Sequence, residues 1–494
     1  MLTEELLSQL PQCTPLGPLP ARVGSVVGDS RRVQPGDVFV AIQGLKEDGH
    51  AYIAQARARG AALVVGERLE MLGAGPSVLV PDSRRALGLL AAAAEGHPSK
   101  KLRMFGVTGT NGKTSTTHLL GHILQAASVP AAVIGTVGVY LGGERQDIDR
   151  TTPDAAELQP LLAHLYERGA RAAVMEVSSH ALELDRVVGC EFDGAIFTNL
   201  TQDHLDFHRT LGRYRSAKLR LFTMLGGSYT GSPKRGRKWA AINMDDPSGD
   251  VFARRTSVRT VTYGEHGDIQ ALDVRCGRTG TDMVLAGPFG RRSLHLSTPG
   301  RFYAQNALAA AAAAFAEGID ADTIVRGLEA ARGVPGRFEQ VPGPWPFLVV
   351  VDYAHTPDGL EKLLVAAREL TPGRILIVFG AGGDRDRSKR EPMGETAARG
   401  ADLVILTSDN PRTEDVERII DQLEEGVRRT GKEPFLREVD RHRAIEAAVR
   451  EAREGDTVVL AGKGHETYQL VGAEVFPFDD RAVVRSILEA MPGW

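Results

Sequence analysis

Residues 102–118, LRMFGVTGTNGKTSTTH, constrain the chain more than any other stretch. An apolar and β-branched run gives way to two glycines, a lysine and a cluster of threonines and serines, and then to the helix-forming segment TSTTHLLGHILQAA. Glycine weakens helices and strands, so this spacing needs a reason. A strand, a Gly-rich loop and a helix in that order make a phosphate cradle, in which backbone N–H groups and the helix N-terminus hold phosphate oxygens. Lys113 can reach the outer phosphates and the Thr114 hydroxyl can bind Mg²⁺. The strict pattern wants a glycine six positions before the lysine; Val107 stands there and Gly106 one further back, while the GKT ending is intact. The bland alternative is a Gly-rich turn with a surface lysine.

The rest of the chain repeats the strand–helix alternation. Its 494 residues are too many for one ordinary core. Three segments are expected: a smaller N-terminal α/β domain over 1–98, a central domain over 99–333 and a C-terminal Rossmann-like α/β domain over 334–494. DVFVAI, AALVVG and SVLVPD supply strands in the first, and HPSKK (97–101) reads as a linker. In the second, AAVIGTV, AAVMEVSS and GAIFTNL predict a mostly parallel sheet, buried on both faces by helices. Residues 255–299 read as an antiparallel appendage, and GVPGRF (333–338) as a boundary and hinge. In the third, strands ending in GAGG, SDNP and GKGHE predict one shared site at their carboxyl ends.

A net charge of −4 points to neither a nucleic-acid partner nor a membrane surface, and KRGRK (234–238) reads as a solvated loop. Three scattered cysteines fit a reducing cytosol. The N-terminus has no signal-peptide pattern, and the longest apolar run, ALAAAAAAFA (307–316), predicts a buried helix. A cytoplasmic monomer without membrane insertion is expected.

Three further features carry chemistry. Glu176 in MEVSSH ends a strand and is a candidate metal ligand or a surface carboxylate. His204 and His208 in NLTQDHLDFH are four apart, but Leu205 stands where a zinc protease needs its glutamate, so His204 is assigned to Mg²⁺. Lys218 in YRSAKLRLF reads, on its own, as a solvated lysine on an exposed basic helix.

The loop TGTNGKT resembles the ATP loop of the Mur ligase family, which also includes folylpolyglutamate synthetase. The other motifs follow in the family's order across essentially the whole chain. The resemblance implies an enzyme that joins an amine to a carboxylate through an acyl phosphate, using ATP and Mg²⁺. It places ATP on Gly109, Thr110, Asn111, Gly112, Lys113, Thr114 and Ser115, with Asn306 at the adenine and Arg337, Asp352 and His355 reaching in from the C-terminal domain. It implies that Lys218 is carbamylated and joins Thr114, Glu176 and His204 at the metals. Lys113, Glu176, His204 and Lys218 form the expected catalytic set. Tyr303 stands where the family usually has asparagine, and Glu391 interrupts the usual KRP.

DNPR (409–412) and the opening GDSRRVQPGDVFVAIQG resemble the branch that extends a UDP-N-acetylmuramoyl dipeptide in peptidoglycan precursor synthesis. Ser30, Thr151, Thr152, Ser178 and Arg186 are then expected at that UDP substrate. Arg385, Asp409, Asn410, Pro411, Arg412, Gly462 and Glu466 are expected at meso-diaminopimelate, two guanidinium groups and a carboxylate suiting a zwitterionic head. L-Lysine or L-ornithine as amine donor, a folylpolyglutamate-type ligase and a non-enzymatic nucleotide switch are the alternatives.

Overall fold

The computed structural model describes residues 1–44, 47–225, 234, 236–433 and 435–491. Three mostly parallel sheets follow one another along the chain. The first has five strands in the order Thr14–Leu16, Ser77–Leu79, Leu63–Gly66, Val38–Val40, Val26–Val27, with only Thr14–Leu16 antiparallel. Helix Ser83–Ala94, capped by the Asp82 carboxylate on the Arg85 N–H, lays Leu87, Leu89 and Leu90 into its core.

The central sheet runs Arg259–Tyr263, Trp239–Asn243, Gly194–Phe197, Arg103–Thr108, Ala172–Glu176, Ala131–Gly135, Gly138–Leu141, Glu144–Gln146. The first six are parallel and the last two turn back antiparallel. Alternation along the strands separates two cores. Phe105, Val107 and Val174 face helices Lys113–Ala126 and Arg301–Glu317, while Met104, Ala173 and Met175 face the side that carries Ala155–Glu167 and Leu211–Met224. Helix Arg301–Glu317 is buried almost all round, as its alanine run predicts. Small side chains let it lie close to the sheet and to helix Lys113–Ala126, so enlarging one buried alanine there would cost about 1–3 kcal/mol.

Two expectations need correction here. Arg259–Tyr263 is not part of the antiparallel appendage; it pairs in parallel with Trp239–Asn243 and extends the central sheet. A half-buried edge strand alternates in the same way whichever direction it runs, and the buried Tyr263 hydroxyl, donating to Phe197 O at 2.9 Å, ties it to the sheet. The appendage is the meander Gln270–Gly277, Gly280–Gly287, Gly290–Leu296. The KRGRK cluster is not simply solvated: Lys234 binds the Asp193 carboxylate, which Arg103 also holds at 2.6 Å, and Lys238 pairs with Glu191 at 3.2 Å. Arg235 lies outside the described residues. HPSKK forms a one-turn helix, Pro98–Lys101, with Pro98 and Ser99 buried.

The third sheet has the order Glu339–Gln340, Leu348–Asp352, Thr457–Ala461, Ile375–Phe379, Leu403–Leu406, Phe435–Arg437, parallel except at Glu339–Gln340. The buried Arg441 guanidinium pairs with Asp480 at 2.7 Å and donates to Ala461 O at 3.1 Å and Ser408 O at 3.4 Å. It pins the two strand ends that lead into Gly462 and Asp409. Among the described residues, no helix is long and apolar enough to cross a membrane.

Candidate active site

Strand Arg103–Thr108 ends in the Gly-rich loop, and helix Lys113–Ala126 begins directly after it. Gly112 caps that helix at φ +83°, and a Cβ there would overlap the Asn306 carboxamide. Gly109, at φ +154°, would overlap the Thr198 hydroxyl. Both positions require glycine because the loop is pressed between two walls. Asn306, Lys113 and Thr114 are thereby brought to one cavity of about 470 Å³.

The C-terminal sheet closes the other side. Arg337, Asp352 and His355 line the same cavity, as do Thr110, Asn111, Gly112, Ser115, Glu176 and His204. Arg337 donates to the Thr114 hydroxyl at 3.0 Å and lies over the Tyr353 ring, 4.7 Å from its centroid. Asp352 accepts from the N–H groups of Phe338 and Ala354, both at 2.7 Å, which fixes the chain after GVPGRF. Asp358, on helix Pro357–Leu370, accepts from Asn111 Nδ2 at 2.5 Å and Thr201 Oγ1 at 3.1 Å. Asp358 thus ties both the Gly-rich loop, through Asn111, and the segment after strand Gly194–Phe197, through Thr201, to the C-terminal part of the chain.

Lys113 Nζ donates to the carbonyls of Gly109 (3.0 Å) and Thr110 (2.8 Å), and Lys218 Nζ to Gly109 O at 2.7 Å. Burial pushes both ammonium groups below the ordinary lysine range, Lys218 furthest, with the Lys113 charge adding to it. Lys218 is 1% exposed, which corrects the reading of an exposed basic helix. The helix is basic in composition, but Lys218 shares its inner face with Tyr214, Leu221 and Phe222, and its Nζ lies 4.4 Å from the Tyr214 ring centroid. Among the described residues no carboxylate forms an ion pair with it.

Glu176 is buried too, not a surface carboxylate; its oxygens accept from the Thr136 N–H at 2.8 Å and the Thr136 hydroxyl at 3.1 Å. His204 sits just before the turn Leu205–His208 in left-handed backbone, φ +54°, a conformation that costs about 1 kcal/mol outside glycine. Its ring packs edge-on against His180, with Nε2 3.3 Å from Asp203, and desolvation in the cavity wall lowers it below the ordinary histidine value, favouring the neutral imidazole. His208 points elsewhere, its Nε2 2.9 Å from Ser179 Oγ.

The donor set suits a hard cation. A carboxylate, a hydroxyl and a neutral imidazole face the cavity, and Mg²⁺ needs only one or two carboxylates when phosphate oxygens complete its shell. Among the described residues no group of three or more His, Cys, Asp or Glu side chains holds a metal unaided. Lys218 fits a cation only as an anion, since its ammonium would repel it.

Next to Glu176, Thr152 donates to Glu176 O at 2.9 Å and accepts from Ser178 N at 3.1 Å, while Thr151 and Thr136 hydroxyls are 3.0 Å apart. Arg186 reaches Thr152 O at 3.3 Å and Asp154 at 2.7 Å. Arg186 also lines a separate pocket of about 190 Å³, with Gly28, Arg84 and Arg150, between the first two sheets. Ser30 is buried beside it, donating to Gln55 Oε1 at 2.7 Å, and does not line that pocket.

The third sheet gathers the remaining candidates. Asn410 Nδ2 donates to Glu466 at 2.8 Å, while Asn410 Oδ1 accepts from Lys463 Nζ at 3.1 Å and Leu470 N at 2.9 Å. Gly462, at φ +108°, packs against the Asp409 carboxylate. Pro411 precedes Arg412, which is left-handed at φ +53° with its guanidinium on Gly383 O at 2.8 Å. Arg385 flanks Gly382 beside it. Burial and the Asp409 charge raise Glu466. Tyr303 faces the core rather than the cavity and burial raises it to about 12; Glu391 opens helix Arg390–Gly400 and pairs with Arg429 at 2.7 Å without breaking it.

Sequence reading missed Asp203, Lys389 and Lys463. Asp203 lines the cavity one residue before His204, and Lys389 is drawn below the ordinary range chiefly by burial, with Asp203 and Asp409 among its neighbours. Lys463, fully buried, lies 3.5 Å from Asp409 and 3.6 Å from Glu466. Asp203 and Lys463 adjoin residues singled out from the sequence and Lys389 lies two before Glu391, but a charge in a loop or turn gives no sign that it turns inward.

Comparison with known proteins follows the same three-part division. The descriptions "Mur ligase family, catalytic domain", "Mur ligase middle domain" and "Mur ligase, glutamate ligase domain" match residues 22–99, 107–314 and 336–464. A protein of Syntrophomonas wolfei, named UDP-N-acetylmuramoyl-L-alanyl-D-glutamate–2,6-diaminopimelate ligase, is 46% identical over 96% of both chains. The chain belongs to the Mur ligase family. A solved structure titled with the same ligase name superposes on this Mur ligase with a TM-score of 0.68 and 34% identity, over 95% of each chain. The MurF ligase of Thermotoga maritima, solved in complex with ADP, shares the fold at a TM-score of 0.62 and 21% identity, covering 94% of this chain and 96% of that one.

Proposed function

We propose that the protein is an ATP-dependent amide ligase joining meso-2,6-diaminopimelate to the D-glutamyl γ-carboxylate of UDP-N-acetylmuramoyl-L-Ala-D-Glu, a step of peptidoglycan precursor synthesis. The observation that carries this reading is the single cavity shared by Lys113, Thr114, Glu176 and His204 on one side and Arg337, Asp352 and His355 on the other. The chain divides into a UDP-substrate domain (1–98), an ATP domain (99–333) and an amino-acid domain (334–494), each with one main sheet.

ATP lies with its phosphates on residues 109–115 and its base toward Asn306. On arrival of the γ-phosphate, Lys113 exchanges the loop carbonyls for phosphate oxygens, and Arg337 swings from Thr114 to the same charge. Thr114, Glu176, His204 and carbamylated Lys218 would hold Mg²⁺, whose chemistry is to cancel the repulsion between phosphate and carboxylate. The γ-carboxylate, presented by Thr151, Thr152, Ser178 and Arg186 with Ser30 behind the uridine end, attacks the γ-phosphorus. ADP leaves and an acyl phosphate forms. The neutral amine of diaminopimelate attacks the acyl carbon, phosphate leaves, and the amine proton passes to solvent. Arg385, Asp409, Asn410, Pro411, Arg412, Gly462 and Glu466 grip the far zwitterionic end. Positioning and charge stabilisation account for most of the rate. The protein acts as a monomer in the cytoplasm, a placement supported by three free cysteines.

Incubation with ATP, Mg²⁺, the UDP-muramoyl dipeptide and, in parallel, diaminopimelate, L-lysine or L-ornithine tests the reading. Phosphate release and tripeptide formation are expected with diaminopimelate; product only with lysine or ornithine reassigns the amine, and none with any amine overturns the ligase.

A further inference from the structure

We propose that Asp358 is a positioning residue that keeps the amino-acid domain seated on the phosphate loop between the two chemical steps, so that the acyl phosphate meets the amine and not water. The inference rests on the ligase reading above. Asp358 stands in the first turn of helix Pro357–Leu370. One oxygen of its side chain, Oδ2, accepts from Asn111 Nδ2 at 2.5 Å, Thr201 Oγ1 at 3.1 Å and Lys362 Nζ at 2.9 Å. Lys362 belongs to the same helix and steadies the carboxylate, whereas Asn111 and Thr201 belong to loops of the central sheet.

The far side of this contact is itself fixed. The Asn111 N–H donates to Asn199 Oδ1 at 2.9 Å, and its carbonyl accepts from Thr198 Oγ1 at 2.6 Å and Asn199 Nδ2 at 3.1 Å. The Thr201 N–H donates to Thr110 Oγ1 at 3.0 Å, and that hydroxyl donates back to Thr201 O at 3.2 Å. The phosphate loop and the segment after strand Gly194–Phe197 therefore form one seat, and Asp358 docks on both halves of it.

Other polar ties across the same boundary are weaker or transient. Arg301 to Glu369 at 3.2 Å and Gln340 to Arg278 O at 3.1 Å lie exposed, where water competes for them. Arg337 gives up Thr114 when the γ-phosphate arrives. Asp358 does not line the cavity, although Thr356, Gly359 and Lys362 around it do, so no ligand claims its oxygen. Its charge-assisted bonds persist through the reaction.

The chemistry needs such a tie. The acyl phosphate forms beside Lys113 and Glu176, while the amine is held at Asn410 and Arg412 on the other part of the chain. If the two parts separate, a water oxygen attacks the phosphorus and the bond to the acyl oxygen breaks. The γ-carboxylate is regenerated, phosphate leaves, and the water proton passes to solvent. ATP is then consumed without an amide.

The test measures phosphate and tripeptide together on the full chain, with ATP, Mg²⁺, the UDP-muramoyl dipeptide and diaminopimelate. The unaltered protein should release one phosphate per tripeptide. In Asp358→Ala that ratio should rise about twofold or more, because two hydrogen bonds to a charged group are lost. Asp358→Asn keeps an acceptor for Asn111 and Thr201 and should stay nearer the unaltered value. Thr201→Val removes one donor and should raise the ratio by less than Asp358→Ala. A role confined to stability lowers both products in parallel and leaves the ratio unchanged. That result in Asp358→Ala, or in Thr201→Val should the alanine variant not fold, overturns the inference. If the unaltered protein forms no tripeptide, the ligase reading fails, and small-angle scattering of the ligand-free protein decides the contact. A larger radius of gyration in Asp358→Ala supports the seat, and an unchanged one overturns it.

Discussion

The Arg337 guanidinium donates to the Thr114 hydroxyl at 3.0 Å, joining residues 223 positions apart in the chain. Its Nε is buried without a partner among the described residues, while the residue itself lines the cavity. Arg337→Ala is expected to lower kcat/KM for ATP by roughly 10²–10³, the loss typical of one preorganised charge-stabilising donor. Arg337→Lys should recover only a small part, since an ammonium lacks the planar fork that stacks on Tyr353. Steady-state kinetics with varied ATP decides it, and an unaltered KM and kcat in both variants would remove Arg337 from the nucleotide site.

Lys113, half-buried, and Lys218, fully buried, both donate to Gly109 O, an arrangement that serves the nucleotide more than the ligand-free fold. Lys113→Met should abolish ligation while raising the stability of the nucleotide-free protein by up to about 1 kcal/mol, because a half-buried charge that forms no ion pair and is held only by two loop carbonyls gives way to an apolar chain of similar length. A scanning calorimetry trace without nucleotide, set beside a ligation assay, separates the two effects; a lower Tm would contradict the argument.

A neutral amine is the form that reacts with CO₂, and burial of Lys218 favours that form. Protein depleted of CO₂ should lose activity and regain it with bicarbonate, and mild mass spectrometry should find the added mass of CO₂ on the peptide containing Lys218. An active enzyme without that modification would rule out carbamylated Lys218 as a metal ligand.

Arg412 is expected to act on the amine donor and not on the nucleotide. Arg412→Ala should reduce kcat/KM for diaminopimelate by about 10²-fold, the scale of a lost charge-assisted pair, and leave the KM for ATP within about twofold. Equal losses toward both substrates would point instead to a collapsed loop at DNPR.

Stability should fall on the acid side. Burial, with His122 adding to it, holds His118 at about 4; burial, with Arg337 adding to it, does the same for His465. Unfolding returns each to its ordinary value of about 6.5 and takes up protons, so the folded form is fully favoured above that value. The advantage shrinks as pH drops from 6.5 toward 4, by at most about 1.4 kcal/mol per unit for each histidine. Melting curves at successive pH values should show this decline, and His118→Asn should flatten it.

The phosphate loop, the strands that end at Glu176, Asp352 and Gly462, and the alanine-rich helix could be read directly because they depend on local pattern. Apolar runs bounded by glycine make buried parallel strands, and a parallel sheet puts the following loops on one edge. The family resemblance, not sheet geometry, is what added Asp352 of another sheet to Lys113 and Glu176, and the three line one cavity.

What the amino-acid order determined alone was this set of elements and the chemistry at their ends. Tertiary structure decided which charges are withdrawn from water. Lys218 reads as a surface lysine, yet the helix bearing it presses that face, Tyr214 included, against Gly109; Lys463 is enclosed by Asp409 and Asn410 from the end of another strand; and Gln305 is held by Asp245, sixty residues earlier. Burial depends on what packs against a residue from distant parts of the chain, and local composition carries no record of that neighbour. The same holds for Arg259–Tyr263, whose alternation was visible but whose direction was set by the strand beside it.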